Sequence, residues 1–311
     1  MSLNILITGS EGYLGQRLTE RLAPEHTVFG IDIRPHGGPH YHYQQMDIRD
    51  PKLAQLIRTH KITHVIHLAS VMQASDDHER DYDIDVGGTQ NLLQACVGSD
   101  VTHITVTSSG AAYGYHKDNP SWLKETHPLR GNDSFAYSRH KRLVEELLQG
   151  YRERHPELHQ LILRPGTVLG VTTANQITHL FRKKSILSIK GSDSPFVFIW
   201  DEDVVDIVVK GVLEHRSGIY NLAGDGALTV TQIAELLNKP TLTLPAWLLQ
   251  SALWIGYRLG LSRYSADQLK FLRYRPVLDN HALKHEFGYT PKKSSREVFE
   301  YYLSHNEEMR G

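Results

Sequence analysis

The sequence predicts an α/β protein built on a doubly wound parallel sheet, and three observations predict it. Short apolar runs alternate with amphipathic stretches through the first 165 residues. The first run leads into three glycines at three-residue spacing, in LNILITGSEGYLG (Leu3 to Gly15). Asp32 closes the next run, about twenty residues further on.

Each element follows in order. Asn4–Thr8 reads as a strand, and Tyr13–Leu22 as a helix because Leu14, Leu18 and Leu22 recur every four residues and share a face. Thr27–Asp32 is the second strand and Leu53–Thr59 a short helix. Thr63–Ala69 is a strand, Val86–Val97 a helix, His103–Ser109 a strand, Ala136–Arg154 a long helix and Gln160–Pro165 a strand. Right-handed crossovers wind such a series into a sheet covered on both faces. Past Pro165 the alternation loosens into a strand–helix pair over Phe196–Glu214 and a strand at Gly218–Gly224. From Gly226 onward helix dominates, broken by Pro240, Pro245, Pro276 and Pro291. Residues 1–170, completed by 196–225, are expected to form the sheet domain. Residues 171–195 and 226–311 form a smaller, mostly helical substrate lobe over the carboxyl ends of the strands.

Composition narrows the partners. The 34 lysines and arginines nearly balance 35 aspartates and glutamates, so no net field draws the chain to nucleic acid or anionic lipid. A small-molecule substrate is expected, with no nucleic-acid and no membrane partner. The single cysteine, Cys96, permits no intramolecular disulfide, and the N-terminus runs straight into a strand, so a cytoplasmic protein is expected. The apolar stretch Leu244–Leu261 is interrupted by Gln250, Ser251, Tyr257 and Arg258; it is too polar to span a bilayer and is expected to pack its stripe on the protein. The nineteen histidines, including His36, His40 and His42 and the pair His64 and His67, lack Cys or acidic partners at ligand spacing, so no metal is expected.

A strand, a tight turn and a helix in succession aim the unpaired first N–H groups of the helix at one point, where a diphosphate fits. Gly9 makes the turn, Gly12 leaves room for the pyrophosphate, and Gly15 lets the helix sit close on the sheet; Tyr13 and Leu14 stand in the first turn. Asp32 would accept the adenosine ribose hydroxyls and repel a 2′-phosphate, which favours NAD over NADP, although Arg34 softens that preference. The sheet domain is therefore expected to be an NAD-binding domain of Rossmann type.

The spacing Gly-x-x-Gly-x-x-Gly after Thr8 resembles the short-chain dehydrogenase/reductase superfamily, in its extended NAD-dependent epimerase/dehydratase branch, of which UDP-glucose 4-epimerase is one example. That superfamily uses a Tyr-x-x-x-Lys pair. Of three such spacings, Tyr289 with Lys293 spans Pro291, and Tyr113 with Lys117 begins among turn formers. Only Tyr137 and Lys141 lie on a helical stretch, where residues four apart share a face. A phenol of pKa about 10 is a poor base at neutral pH, and a neighbouring ammonium favours the phenolate. The segment TSSGAAYG resembles the family's Ser-x-x-x-Tyr-Gly and places the catalytic hydroxyl at Ser109, with Ser108 as the alternative. Further resemblances implicate Asp47 and Ile48 as an adenine contact and Leu68 and Ala69 as a loop along the cofactor. They also cover the link Leu163–Gly170, the return Phe198–Val205 and the close Pro276–Tyr302. Family members commonly pair through the helices at Val86–Val97 and Ala136–Arg154, so a homodimer is implied.

Departures from the family bear on the substrate. Thr167 stands where nucleotide-sugar members carry Asn, and Phe196 replaces an arginine that holds a diphosphate, leaving Arg273 or Arg275 to supply that charge. Asp85 replaces an Asn, and His140 fills a usually small position. Gly110 and Ala111 occupy the places of the acid pair of 4,6-dehydratases, which argues against dehydration. The leading expectation is an NAD-dependent epimerase acting on a small molecule such as a nucleotide sugar. The alternatives are a dehydrogenase or ketone reductase for a less charged substrate, suggested by Trp247, Leu248, Trp254 and Ile255, and a non-catalytic dinucleotide sensor or scaffold.

Overall fold

The computed structural model describes residues 2–72, 75, 77–259 and 269–310. Its central sheet has seven strands, of which β1 (Asn4–Thr8), β2 (Thr27–Asp32), β3 (His42–Gln45), β4 (His64–His67), β5 (His103–Thr107) and β6 (His159–Pro165) are joined by parallel pairings. With β7 (Thr167–Leu169), β8 (Ile186–Ile189) and β9 (Phe198–Trp200) outside it, β10 (Gly218–Leu222) completes the order β3-β2-β1-β4-β5-β6-β10. Sequence order reverses between β1 and β4, where Thr8 lies level with His67. Open α/β sheets bind ligands beyond the strand carboxyl ends at such a switch point.

The connecting helices are α1 (Tyr13–Leu22), α2 (Leu53–Thr59), α3 (His78–Tyr82), α4 (Gly88–Val97), α5 (Ala136–Arg154), α6 (Gln176–Phe181) and α7 (Asp201–Leu213). Leu18 and Leu22 of α1 are buried, as their four-residue recurrence requires. The strand β3, HYQQ, is absent from the sequence expectations: it pairs Phe29 with His42 at the sheet edge, and a polar edge strand carries no apolar alternation. The helix expected from Val86 begins at Gly88, preceded by a single π-helical turn over Asp83–Gly87.

The chain divides into two compact units. One comprises 1–109, 140–164 and 204–220, and the other 110–139, 165–203 and 221–311. Residues 110–139, expected with the sheet domain, group with the second unit. In the first unit Leu6, Val65, Ile104 and Ile162 from four neighbouring strands pack with Leu92, Leu93 and Leu148 from α4 and α5. In the second, Phe181, Phe196, Phe198 and Phe299 form a contiguous aromatic core, with Phe196 and Phe198 stacked at 5.8 Å. The remainder of that unit is α8 (Val230–Leu236), β11 (Thr241–Leu244, paired with β8), α9 (Ala246–Arg258), α10 (Leu269–Arg273), α11 (His281–His285) and α12 (Ser295–Ser304).

One expectation is overturned. The stripe in Leu244–Leu261 does not pack away: Trp247 is 68% exposed, Trp254 55% and Ile255 50%, and only the opposite face with Leu249 and Leu253 turns inward, half-buried. The helix is apolar nearly all round, whereas one side suffices to seat it; residues 260–261 of the stretch lie outside the described residues.

Candidate active site

In the first unit the chain leaves β1 through Gly9, whose φ of +72° is the left-handed conformation that glycine adopts without strain. A Cβ on Gly9 would meet the Ala69 nitrogen at 2.9 Å, and one on Gly15 would meet the Gly9 carbonyl oxygen at 2.2 Å. The N-terminus of α1 is capped by Gly12 without any side-chain hydrogen bond, so backbone N–H groups present the positive end of the helix. Asp32 closes β2 beside this turn and accepts from Glu11 N and Arg34 N, each at 3.1 Å. Arg34 donates to the Glu11 carbonyl, and the Tyr41 hydroxyl to the Glu11 carboxylate. Leu68 N donates to the Thr8 carbonyl at 3.1 Å. Asp47 is engaged on both carboxylate oxygens by Arg49, at 2.7 and 2.9 Å. A turn with no room for side chains, a helix N-terminus and a carboxylate at the next strand end together fit a dinucleotide.

Beneath them runs a buried polar network. His67 joins Thr8 Oγ1 (2.7 Å) to Thr89 Oγ1 (3.0 Å), and Thr89 donates back to the Asp85 carbonyl (2.5 Å). Burial pushes the His67 imidazole down to about 3, with the nearby Lys141 charge acting in the same direction, so this ring is neutral at physiological pH. The π turn carries Asp85 to His140, at 2.9 Å, with both side chains almost wholly buried, and Asp85 also accepts from Val71 N at 2.8 Å. Burial alone would raise the Asp85 carboxyl; the His140 bond and the Lys141 charge outweigh it and hold the group below its usual range. The two departures from the family pattern are thus one interacting pair. Lys141 is buried and donates to the Thr107 carbonyl at 3.1 Å, beside a cavity of about 10 Å³ lined by His67, Asp85, Thr89 and Lys141, near the minimum for one water molecule.

Ser109 follows β5 and is half-buried. Ser108 is committed elsewhere: it donates at 2.5 Å to Glu145, which Arg164 holds through bonds of 2.6 to 3.1 Å, all three side chains being buried. Tyr137 stands on the first turn of α5, four residues before Lys141. The other two Tyr-x-x-x-Lys tyrosines are structural. Tyr113 is fully buried with its hydroxyl 2.9 Å from Asn221 Oδ1, and Tyr289 donates to Asp203 at 2.7 Å.

Around Tyr137, in the second unit, lies an aromatic wall that sequence reasoning missed. Phe135 contacts Tyr137, Tyr115 and Phe271 at centroid separations of 6.4, 5.5 and 5.7 Å. Arg273 and Arg275, indistinguishable in sequence, part company here. Arg273 lies over Tyr274, whereas Arg275 stacks 3.8 Å above the Phe196 ring and 5.5 Å from Phe271, donating to Ser194 Oγ at 2.9 Å. Burial pushes the Arg275 guanidinium down to about 9, and among the described residues no carboxylate pairs with it. Its Nε is buried without a partner.

A profile of the NAD dependent epimerase/dehydratase family matches residues 5–223. The chain belongs to that family. Among its relatives, an uncharacterized Mycobacterium tuberculosis protein is 24% identical over 96% of this chain and 83% of the relative. An N-acetyl-alpha-D-glucosaminyl-diphospho-ditrans,octacis-undecaprenol 4-epimerase of Escherichia coli O157:H7 is 30% identical over 59% of this chain and 54% of its own. Among solved structures, Bordetella bronchiseptica WbmG with NAD and UDP superposes with a TM-score of 0.77 at 18% identity, covering 99% of this chain and 96% of its own. Thermotoga maritima UDP-glucose 4-epimerase with UDP-glucose gives 0.74 at 19%, covering 98% and 99%. At these identities the superpositions establish a shared Rossmann-like fold. The metal expectation rested on ligand spacing, and no cluster of three potential ligands suited to a metal ion occurs among the described residues.

Proposed function

We propose that this protein is an NAD-dependent epimerase for a sugar carried on a diphosphate, with Tyr137 as the base. The observation that supports it most is Arg275, a half-buried cation whose donations go to Ser194 and the Leu272 carbonyl and to no carboxylate among the described residues, in the same unit as Tyr137. Such a cation is costly unless an anion meets it, and a diphosphate meets a guanidinium through paired hydrogen bonds. The family, the UDP bound to WbmG, the UDP-glucose bound to the Thermotoga enzyme and the diphospho-undecaprenol sugar for which the Escherichia epimerase is named agree with that chemistry.

In this reading Gly9, Gly12, Tyr13, Leu14 and Gly15 hold the pyrophosphate of NAD, Asp32 its adenosine ribose, and Ile48, Leu68 and Ala69 line its course. Asp47 takes part only by sharing its carboxylate with Arg49. NAD, held by these residues, would supply a reversible hydride acceptor for the substrate carbon. Tyr137 accepts the hydroxyl proton, Lys141 favours its phenolate form, and Ser109 holds the substrate oxygen as it gains carbonyl character. The test is interconversion of UDP-glucose and UDP-galactose, and of an undecaprenyl-diphosphate-linked N-acetylhexosamine pair, followed by chromatography. Turnover of either pair supports the assignment and tells a nucleoside carrier from a lipid one. Net NADH formation from an alcohol, or net NADH consumption with a ketone, with neither pair converted, would favour the dehydrogenase alternative to which the Tyr115–Phe135–Phe271 wall is also suited.

A further inference from the structure

Helix α9 is thirteen residues long, about 20 Å, which is too short for a bilayer core of about 30 Å. No helix among the described residues is long and apolar enough to cross a membrane. Yet α9 turns Trp247, Leu248, Trp254 and Ile255 outward on one face, and Leu259 continues it at 66% exposure. The ribbon whose strand β11 ends two residues before α9 also exposes apolar side chains, its cross-strand pair Leu187 and Leu242 at 36% and 48%.

The charge around this surface is one-sided. Residues 182–192, 238–259 and 269–275 contain eight lysines and arginines besides the Arg275 that stacks on Phe196, and no aspartate or glutamate, in a chain whose totals are 34 and 35; exposed Asp193 follows the first segment. Arg182, Lys183, Lys184 and Lys190 flank β8 and are exposed, as are Arg258 at the end of α9 and Lys270 on α10. Arg258 lies 5.4 Å from the Trp254 ring. A symmetric contact between two copies through this face would set these cations against their own images. Exposed tryptophan and aliphatic side chains amid lysine and arginine instead match the boundary between acyl chains and anionic headgroups.

We propose that α9 and the β8–β11 ribbon form a docking surface for an anionic lipid bilayer, with α9 lying in the plane of the interface. The inference is independent of the sugar turned over and of the roles of Tyr137 and Arg275. It reverses the expectation of no membrane partner, which rested on net charge; segregation of charge within one lobe is invisible to the sum.

The experiment is flotation of the full chain with vesicles of equal parts phosphatidylcholine and phosphatidylglycerol, against vesicles of phosphatidylcholine alone. The full chain should float with the anionic vesicles, and high salt should reduce the bound fraction by about tenfold or more. Trp247→Ser with Trp254→Ser should cost a similar factor, as should Arg182→Gln with Lys183→Gln and Lys184→Gln. Both variants change exposed residues, and an unaltered circular dichroism spectrum checks their fold. If the full chain stays with neither vesicle, or the tryptophan variant floats as well as the parent, the proposal is wrong. A concentration-dependent dimer that the tryptophan variant abolishes, with no flotation, would assign the face to a second copy instead.

Discussion

Arg275 and Tyr137 carry opposite kinds of evidence at the scale of the residue. Tyr137 is defined by its spacing to Lys141, which helical geometry makes meaningful; Arg275 is defined only by what surrounds it. Arg275→Ala should raise the KM for a sugar diphosphate by about tenfold to a hundredfold while changing kcat less, since a charged hydrogen bond contributes about 1.5–3 kcal/mol. An unchanged KM would mean that the diphosphate is held elsewhere. Tyr137→Phe should lower turnover by about two to four orders of magnitude and leave NAD affinity nearly intact, measured by steady-state kinetics beside a cofactor titration. Retained turnover would remove Tyr137 from the chemistry.

Elements fix what these residues can do. The ladder from β5 to α5 to β6 is tied by Ser108, Glu145 and Arg164, a buried charge pair at 2.6 Å. Removing the carboxylate takes from buried Arg164 the ion pair at 2.6 Å, so Glu145→Ala should destabilise the protein by about 3–5 kcal/mol in urea denaturation. A loss below 1 kcal/mol would show that water reaches Arg164. The π turn before α4 has a comparable role, because it carries Asp85 to His140 under Lys141. Helical periodicity reveals a helix there, and the extra residue in one turn is set by packing that periodicity does not encode.

On the scale of the whole molecule, three buried histidines set a pH limit. Burial pushes His64 and His103 down to about 4 and His67 to about 3, whereas the unfolded chain binds these protons near 6.5. The unfolded state therefore takes up more protons as pH falls below 6.5, and stability declines from there toward 4, by up to about 1.4 kcal/mol per pH unit for each histidine. Above 6.5 these groups contribute no slope. Melting temperatures between pH 7.5 and 5 check this, and a flat profile down to pH 5 would show that the rings are protonated in the folded state. By itself, the sequence determined the sheet apart from its polar edge strand β3, the glycine turn, Asp32 and the Tyr137–Lys141 spacing, because each depends on residues within one or two neighbouring elements. The tertiary structure alone decided that Arg275 stacks on Phe196, that Asp85 meets His140, that Ser108 belongs to Glu145, and that the apolar face of α9 stays outside. These contacts join residues from 37 to 79 positions apart, or depend on which side of a helix is left uncovered, and local pattern carries no record of either.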